Sequence, residues 1–477
     1  MALARPIDRP NSSRAAPGLR HPEVAAKING QMIWSTMIIV VGSIVAFLAS
    51  VAATDANGVF SSAALVFLVA LLTAIAVEAR CGLRNLVRVD LFMLAALYLL
   101  TFLEFLLPQE PVTIVGRDAA LTAVGAVLVS FVGMSIGRHA FPTMHSPTRL
   151  TNLNVSPSST IWLMAVCAFI GYLYMLLAVD FNVLEMVYQI QQPRFTQPWS
   201  RGRLGSWATL VNQLSLVTYA IPGLAGAVVA QSTRYSIIQI VAALFILAFV
   251  LFEAFASGTR NIFLIHIVTF ATSYAILVPR LTLGRALRLG VPALLVAGFA
   301  ITAMLTIRTV GLENFSGGTP SSRLSVDMNI INIAQIGEVF PRSVPYLGLE
   351  VPYIFATGPI PRAIWPGKPE GLSYSVNDAV GVGDYMTVSA SFPGELFMSG
   401  GFLAILIGSL VAGAVAARWN RFGSTATSNV ALITYAIGFF PAGIMMRSLM
   451  SSAQAFLPVA ALFIYAGMIA RAPRQNP

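Results

Sequence analysis

Nine arginines and one lysine stand apart from the other basic residues of this 477-residue chain: Arg194, Arg201, Arg203, Arg260, Arg308, Arg323, Arg342, Arg362, Lys368 and Arg447. A guanidinium presents a planar fork of donors that matches phosphate and carboxylate oxygens two at a time. Several of them on one face suit a multiply charged anion. Each taken singly has a plainer reading, as an interfacial side chain that snorkels or as a partner of a carboxylate such as Asp327 or Glu338.

Arg260 is the most informative of the set. It sits in Ser257-Gly258-Thr259-Arg260-Asn261, between two apolar runs, where Thr259 could cap the helix that begins near Asn261. The positive end of that helix dipole and the guanidinium would then converge on one spot, which suits a phosphate group. Glu253, seven residues earlier, is expected two helical turns back on the same face. It would hold Arg260 in place or meet a substrate; a Glu253–Arg260 pair as architecture is the competing reading.

Carboxylates that could take a proton from a hydroxyl are Glu395, in Ser391-Phe392-Pro393-Gly394-Glu395, and, behind it, Asp327 and Asp384. Glu395 could equally complement the dipole of the helix it opens. Trp365 and Tyr353 could stack on sugar rings, or belong to an interfacial aromatic belt. His266, within an apolar run, reads as a packing residue or a proton relay. The two cysteines and four histidines form no cluster that predicts a metal site. Neither GxxxxGK[ST] nor GxGxxG after a strand occurs, so no nucleotide cofactor is expected.

The elements that must position these residues are apolar helices. Only 10% of the chain is charged, with mean hydropathy +0.77, whereas soluble domains carry about 25% charged residues. Runs long enough to cross a bilayer fall near 33–53, 60–77, 89–107, 119–137, 160–179, 207–230, 236–256, 261–279, 287–307, 394–416, 428–446 and 449–470. The expected fold is an all-α polytopic membrane protein with about twelve transmembrane helices. Its parts are an N-terminal tail (1–32), nine helices (33–307) with a polar loop near 180–206, a long loop (308–391), three helices (392–470) and a C-terminal tail (471–477). Eight prolines and ten glycines interrupt the long loop. Its aromatic and aliphatic residues still favour an ordered, partly helical segment packed on the membrane face, and long ordered loops on a rigid scaffold tend to carry function.

Charge gives the orientation. With the N-terminus inside, eighteen basic residues fall in cytoplasmic segments and eleven outside, eight of those in the two long loops. Arginine in short segments marks the cytoplasmic side, so both termini are expected there. The net charge of +10 is spread between apolar runs, which argues against nucleic acid as a partner.

Three stretches, SGTRNIF at 257–263, GPIPRAIWPGKPEG at 358–371 and SASFPGELFMSGGFLAILIGSLVAG at 389–413, together with the layout of helices and outer loops, give the chain a resemblance to the Wzy-type polymerases of lipid-linked oligosaccharide units, which include the O-antigen polymerases. The resemblance spans essentially the whole chain. It implies a GT-C-like glycosyltransferase of the bacterial cytoplasmic membrane, independent of metal and cofactor. Such an enzyme transfers a growing glycan from undecaprenyl pyrophosphate to a new lipid-linked unit at the outer face. Membrane lipid and a chain-length regulator protein are further implied partners. Carried onto this sequence, Arg260 would bind the pyrophosphate. Arg362, Lys368, Arg308, Arg323, Arg447 and the first-loop arginines Arg194, Arg201 and Arg203 would hold phosphate or glycan. Glu395 is the first candidate for base or acceptor anchor. The RX10G pattern of some of these polymerases does not carry over, since Thr319 and Ala334 stand where it requires glycine after Arg308 and Arg323. The long loop also lacks the histidine expected of the related ligases. An O-antigen ligase-like transferase and a lipid-linked oligosaccharide flippase are the alternatives.

Overall fold

A computed structural model of the protein describes residues 22–107, 112–140, 155–194, 196–199, 213–258, 260–312, 315, 329–361, 364–369, 371–381, 388–426 and 428–471. Among them there is no strand. The helices, in chain order, are α1 (Pro22–Val51), α2 (Ala56–Ala79), α3 (Val89–Thr101), α4 (Arg117–Gly137), α5 (Pro157–Ala178), α6 (Val183–Ile190), α7 (Ile221–Ala230), α8 (Ile237–Ala256), α9 (Arg260–Leu277) and α10 (Leu283–Val310). They continue with α11 (Asn329–Val339), α12 (Glu350–Thr357), α13 (Val376–Val380), α14 (Ser391–Thr425), α15 (Asn429–Ile437), α16 (Phe439–Arg447), α17 (Leu449–Ala455) and α18 (Leu457–Arg471).

Nine helices among the described residues are long and apolar enough to cross a membrane. Three shorter apolar helices, at Val89–Thr101, Ser215–Ala230 and Leu449–Tyr465, occupy the remaining predicted positions. The protein is accordingly an all-helical polytopic membrane protein. Its exposed surface supports this, because large apolar side chains such as Trp162, Ile237, Phe245 and Leu294 stand more than two-thirds exposed along the helices.

Hydrogen bonds between connecting segments sort the bundle into two ends. At one, Arg88 and Arg138 meet Glu78, and Asn420 meets Asp90. At the other, Arg117 donates to the carbonyls of Val51 and Ala53, Asn329 donates to Leu100, and Ser389 donates to Arg447. These are the Arg138 end and the Arg260 end.

The centre of the bundle is the crossing of α4 and α14. Small residues permit it. A methyl group added at Gly137 would run into the carbonyl of Leu410, and one at Gly413 into that of Met134. With no hydrophobic drive between helices in lipid, such close backbone approach supplies the packing contact.

The long segment after α10 is more deeply set than a surface loop. α11 packs against α3, α4 and α14, and Ile330, Ile333 and Ile336 are fully buried in the main core. Its eleven residues, Asn-Ile-Ile-Asn-Ile-Ala-Gln-Ile-Gly-Glu-Val, are too few to span a bilayer but apolar enough to insert into the top of the bundle. α14 is broken at Gly400 and Gly401, whose backbone is not helical. The segment at Tyr346–Gly348 docks beside the break: Leu347 N–H donates to the Met398 carbonyl (2.9 Å), and the Ser399 hydroxyl donates to the Gly348 carbonyl.

Candidate functional site

Arg260 is the first residue of α9 and is half-buried. α8 closes just before it, with Ser257 N–H donating to the Glu253 carbonyl, and Gly258 adopts φ +67°. That left-handed residue reverses the chain. Glu253 and Arg260 therefore lie on two different helices, and the expected continuation of one helical face across them does not hold. No ion pair or hydrogen bond between described residues reaches the Glu253 carboxylate. The anticipated Glu253–Arg260 pair is absent for that reason. Glu253 instead lies in the neighbourhood of Arg194, Tyr172, Tyr174 and Tyr219.

Arg447 is the last residue of α16. α9 and α16 pack antiparallel, with Gly443 against the Ile265 side chain and the Phe440 ring 5.2 Å from the His266 ring. From those contacts Arg260 lies ~7.5 Å along one axis and Arg447 ~6 Å along the other, at 1.5 Å per residue. The two arginines thus start from the same level at the Arg260 end. Tyr219 stacks on Phe440 (4.0 Å between ring centres) and lies 5.6 Å from His266. His266 is buried among these rings, 1% exposed, and serves as their packing partner.

Glu395 lies in the first turns of α14 and is 3% exposed. Its Oε1 accepts from the Ser448 hydroxyl (2.7 Å) and its Oε2 from the Met450 N–H (2.9 Å). The carboxylate therefore sits against the α16–α17 junction, directly after Arg447.

The two polar segments at this end are tied together. Leu312 N–H, just past α10, donates to the Gln191 carbonyl, just past α6 (2.7 Å). Arg194, three residues on, is half-buried. Lys368 turns its ammonium to the carbonyls of Gly358 (2.8 Å) and Ile360 (3.0 Å), bracing the loop in which it lies. Trp365 is half-buried and Tyr353 is exposed. Two loop carboxylates are engaged locally: Glu350 accepts from the Ser373 hydroxyl (2.6 Å), and Asp378 caps α13 through Ser375. The Ser375 hydrogen bonds hold the Asp378 carboxyl below the usual carboxylate range. Arg308 belongs to α10, with its side chain outside the described residues; Arg201, Arg203, Arg323, Arg362, Asp327 and Asp384 also lie outside them.

A second charged cluster, not marked by any sequence motif, lies at the Arg138 end. There Arg138 Nη1 pairs with Glu78 Oε1 (3.1 Å) and Asp90 Oδ2 (3.4 Å), while Arg88 pairs with Glu78 Oε2 (2.8 Å) and Asp90 Oδ2 (2.5 Å). Arg138 also donates to Thr36 Oγ1 (2.7 Å) and the Met32 carbonyl (2.8 Å). Asn420 donates to Asp90 and accepts from Val89 N–H and the Tyr435 hydroxyl. Arg138 is 2% exposed and Glu78 fully buried. Two cations and two anions cancel here, and nearly every hydrogen-bonding position is filled, which is the condition for tolerating buried charge. A partial sequence signal was available, since Glu78 and Asp90 are carboxylates at the ends of apolar helices, ten residues before and two after Arg88.

No known family, characterised protein or solved structure matches this chain.

Proposed function

We propose that the protein is a glycan polymerase of the bacterial cytoplasmic membrane, with twelve crossings, both termini inside, the Arg260 end outermost and a GT-C-like architecture. It transfers a growing glycan from undecaprenyl pyrophosphate to a lipid-linked oligosaccharide unit. The observation that carries the reading is the gathering at one end of the bundle of Arg260, Arg447 and Arg194 with the carboxylates of Glu253 and Glu395.

In the reaction, the acceptor hydroxyl oxygen bonds to the anomeric carbon of the donor. The bond from that carbon to the phosphate oxygen breaks, and undecaprenyl pyrophosphate leaves with the electron pair. The hydroxyl proton passes to a carboxylate. Charge grows on the leaving pyrophosphate, so guanidinium groups fixed in a water-poor site stabilise the transition state more than the ground state. Arg260, Arg447 and Arg194 have that role, with Arg201, Arg203, Arg308, Arg323 and Arg362 as further phosphate or glycan contacts. Lys368 shapes the loop, and Trp365 and Tyr353 offer flat faces to sugar rings. Asp327 and Asp384, of the long loop, stand behind Glu395 as candidate carboxylates, with Glu253 in support.

Deletion in the producing cell tests the class. A polymerase deletion leaves single capped units. Accumulation of untranslocated units would indicate a flippase, and full-length polymer retained on the lipid carrier would indicate a ligase-like transferase.

A further inference from the structure

Between α16 and α17 the chain leaves the helix for a single residue. Ser448 is extended (φ −153°, ψ 117°), and the helix resumes at Leu449. Arg447 closes α16 directly before this break. Three hydrogen bonds fix it from one neighbouring stretch. The Ser389 hydroxyl donates to the Arg447 carbonyl (2.5 Å), the Ser448 hydroxyl donates to Glu395 Oε1 (2.7 Å), and Met450 N–H donates to Glu395 Oε2 (2.9 Å). That stretch is itself anchored, because the Asn332 amide of α11 donates to the Ser389 carbonyl (2.8 Å).

A general base must reach the proton it removes. Glu395 is 3% exposed, and both of its oxygens are turned to the α16–α17 junction. Glu253 differs: it is half-buried, and no hydrogen bond or ion pair between described residues holds its carboxylate. We propose that Glu395 is a positioning residue, which fastens the α16–α17 break and so sets Arg447 at the level of Arg260, and that it is not the proton acceptor. In its kinetic form this rests on the glycan-transfer reading above; in its structural form it does not.

The test uses the full-length protein in detergent or nanodiscs. Glu395→Gln, Ser448→Ala, Arg447→Ala and the double variant Glu395→Gln/Arg447→Ala are compared for turnover of a defined undecaprenyl-pyrophosphate oligosaccharide. Residues that act through one another are not additive. The double variant is expected to be no slower than Arg447→Ala, Ser448→Ala to lose about tenfold in kcat/KM, and Glu395→Gln to keep the acidic limb of the pH–rate profile. Losses that multiply, a wild-type Ser448→Ala, or a vanished acidic limb in Glu395→Gln would each overturn the proposal. Ser448→Ala keeps the carboxylate in place, so the test survives misfolding of Glu395→Gln. A second readout needs no turnover. The thiol of Arg447→Cys, in a background free of the two native cysteines, is expected to react about tenfold faster with an impermeant maleimide when Ser448→Ala is added, as local opening governs access. An unchanged rate would overturn the brace. If the wild-type protein turns over no lipid-linked oligosaccharide, the glycan reading fails while the labelling result still decides the structural claim.

Discussion

The two ends of the bundle engage their carboxylates differently. At the Arg138 end, two guanidinium groups and two carboxylates neutralise one another inside the protein, with Thr36, Met32 and Asn420 taking the remaining bonds. At the Arg260 end, the carboxylates of Glu253 and Glu395 form no such cluster among the described residues. Glu395 is given to Ser448 and Met450, and Glu253 to no ion pair between described residues. A closed set of buried charges holds helices together and offers nothing to a ligand.

The comparison breaks first where the closed set is opened. Arg138→Ala leaves Glu78 and Asp90 with one cation between them, and removing one partner of a buried pair costs about 3–5 kcal/mol. The variant should therefore be recovered mostly misfolded, as read by size-exclusion chromatography in detergent. A monodisperse Arg138→Ala with wild-type thermal stability would mean that this end is not the structural one.

Part of this architecture is legible in the sequence. The apolar runs locate the helices, because a bilayer demands uninterrupted length. α11 was not legible as an inserted helix, since eleven residues among prolines and glycines look like loop until the core they fill is known. The Glu253–Arg260 spacing misled for a geometric reason: seven residues share a face only on a continuous helix, and Gly258 ends it. The Arg138 cluster was read only as topology, because Arg88 and Arg138 also obey the rule that places arginine inside. Only Asp90 is local, two residues from Arg88; the other partners of the two arginines lie 10 to 106 positions away, and Asn420 reaches Asp90 over 330, separations that leave no local pattern. Arg260 and Arg447 were each singled out, but only the α9–α16 packing brings them to one level.

At the Arg260 end the next largest effect is expected. Arg260→Ala should lower polymerisation by about 10²–10³-fold, the usual cost of removing one group that stabilises transition-state charge, with no loss of folded protein. A stability loss matching that of Arg138→Ala would erase the difference between the two ends. Gly137→Leu, which would drive a side chain into the Leu410 carbonyl, should cost about 1–3 kcal/mol by overpacking, lowering the melting temperature at any pH. The smallest effect belongs to Tyr435→Phe. It removes a hydroxyl that donates to Asn420 (2.8 Å) and should cost about 1 kcal/mol, seen as a small thermal shift with turnover retained.

The most direct measurement is turnover of a defined undecaprenyl-pyrophosphate oligosaccharide by purified wild-type protein and by Arg260→Ala at equal folded concentration. The wild type is expected to extend the glycan with release of undecaprenyl pyrophosphate, and Arg260→Ala to do so about 10²–10³-fold more slowly. Equal extension by both proteins would contradict this expectation.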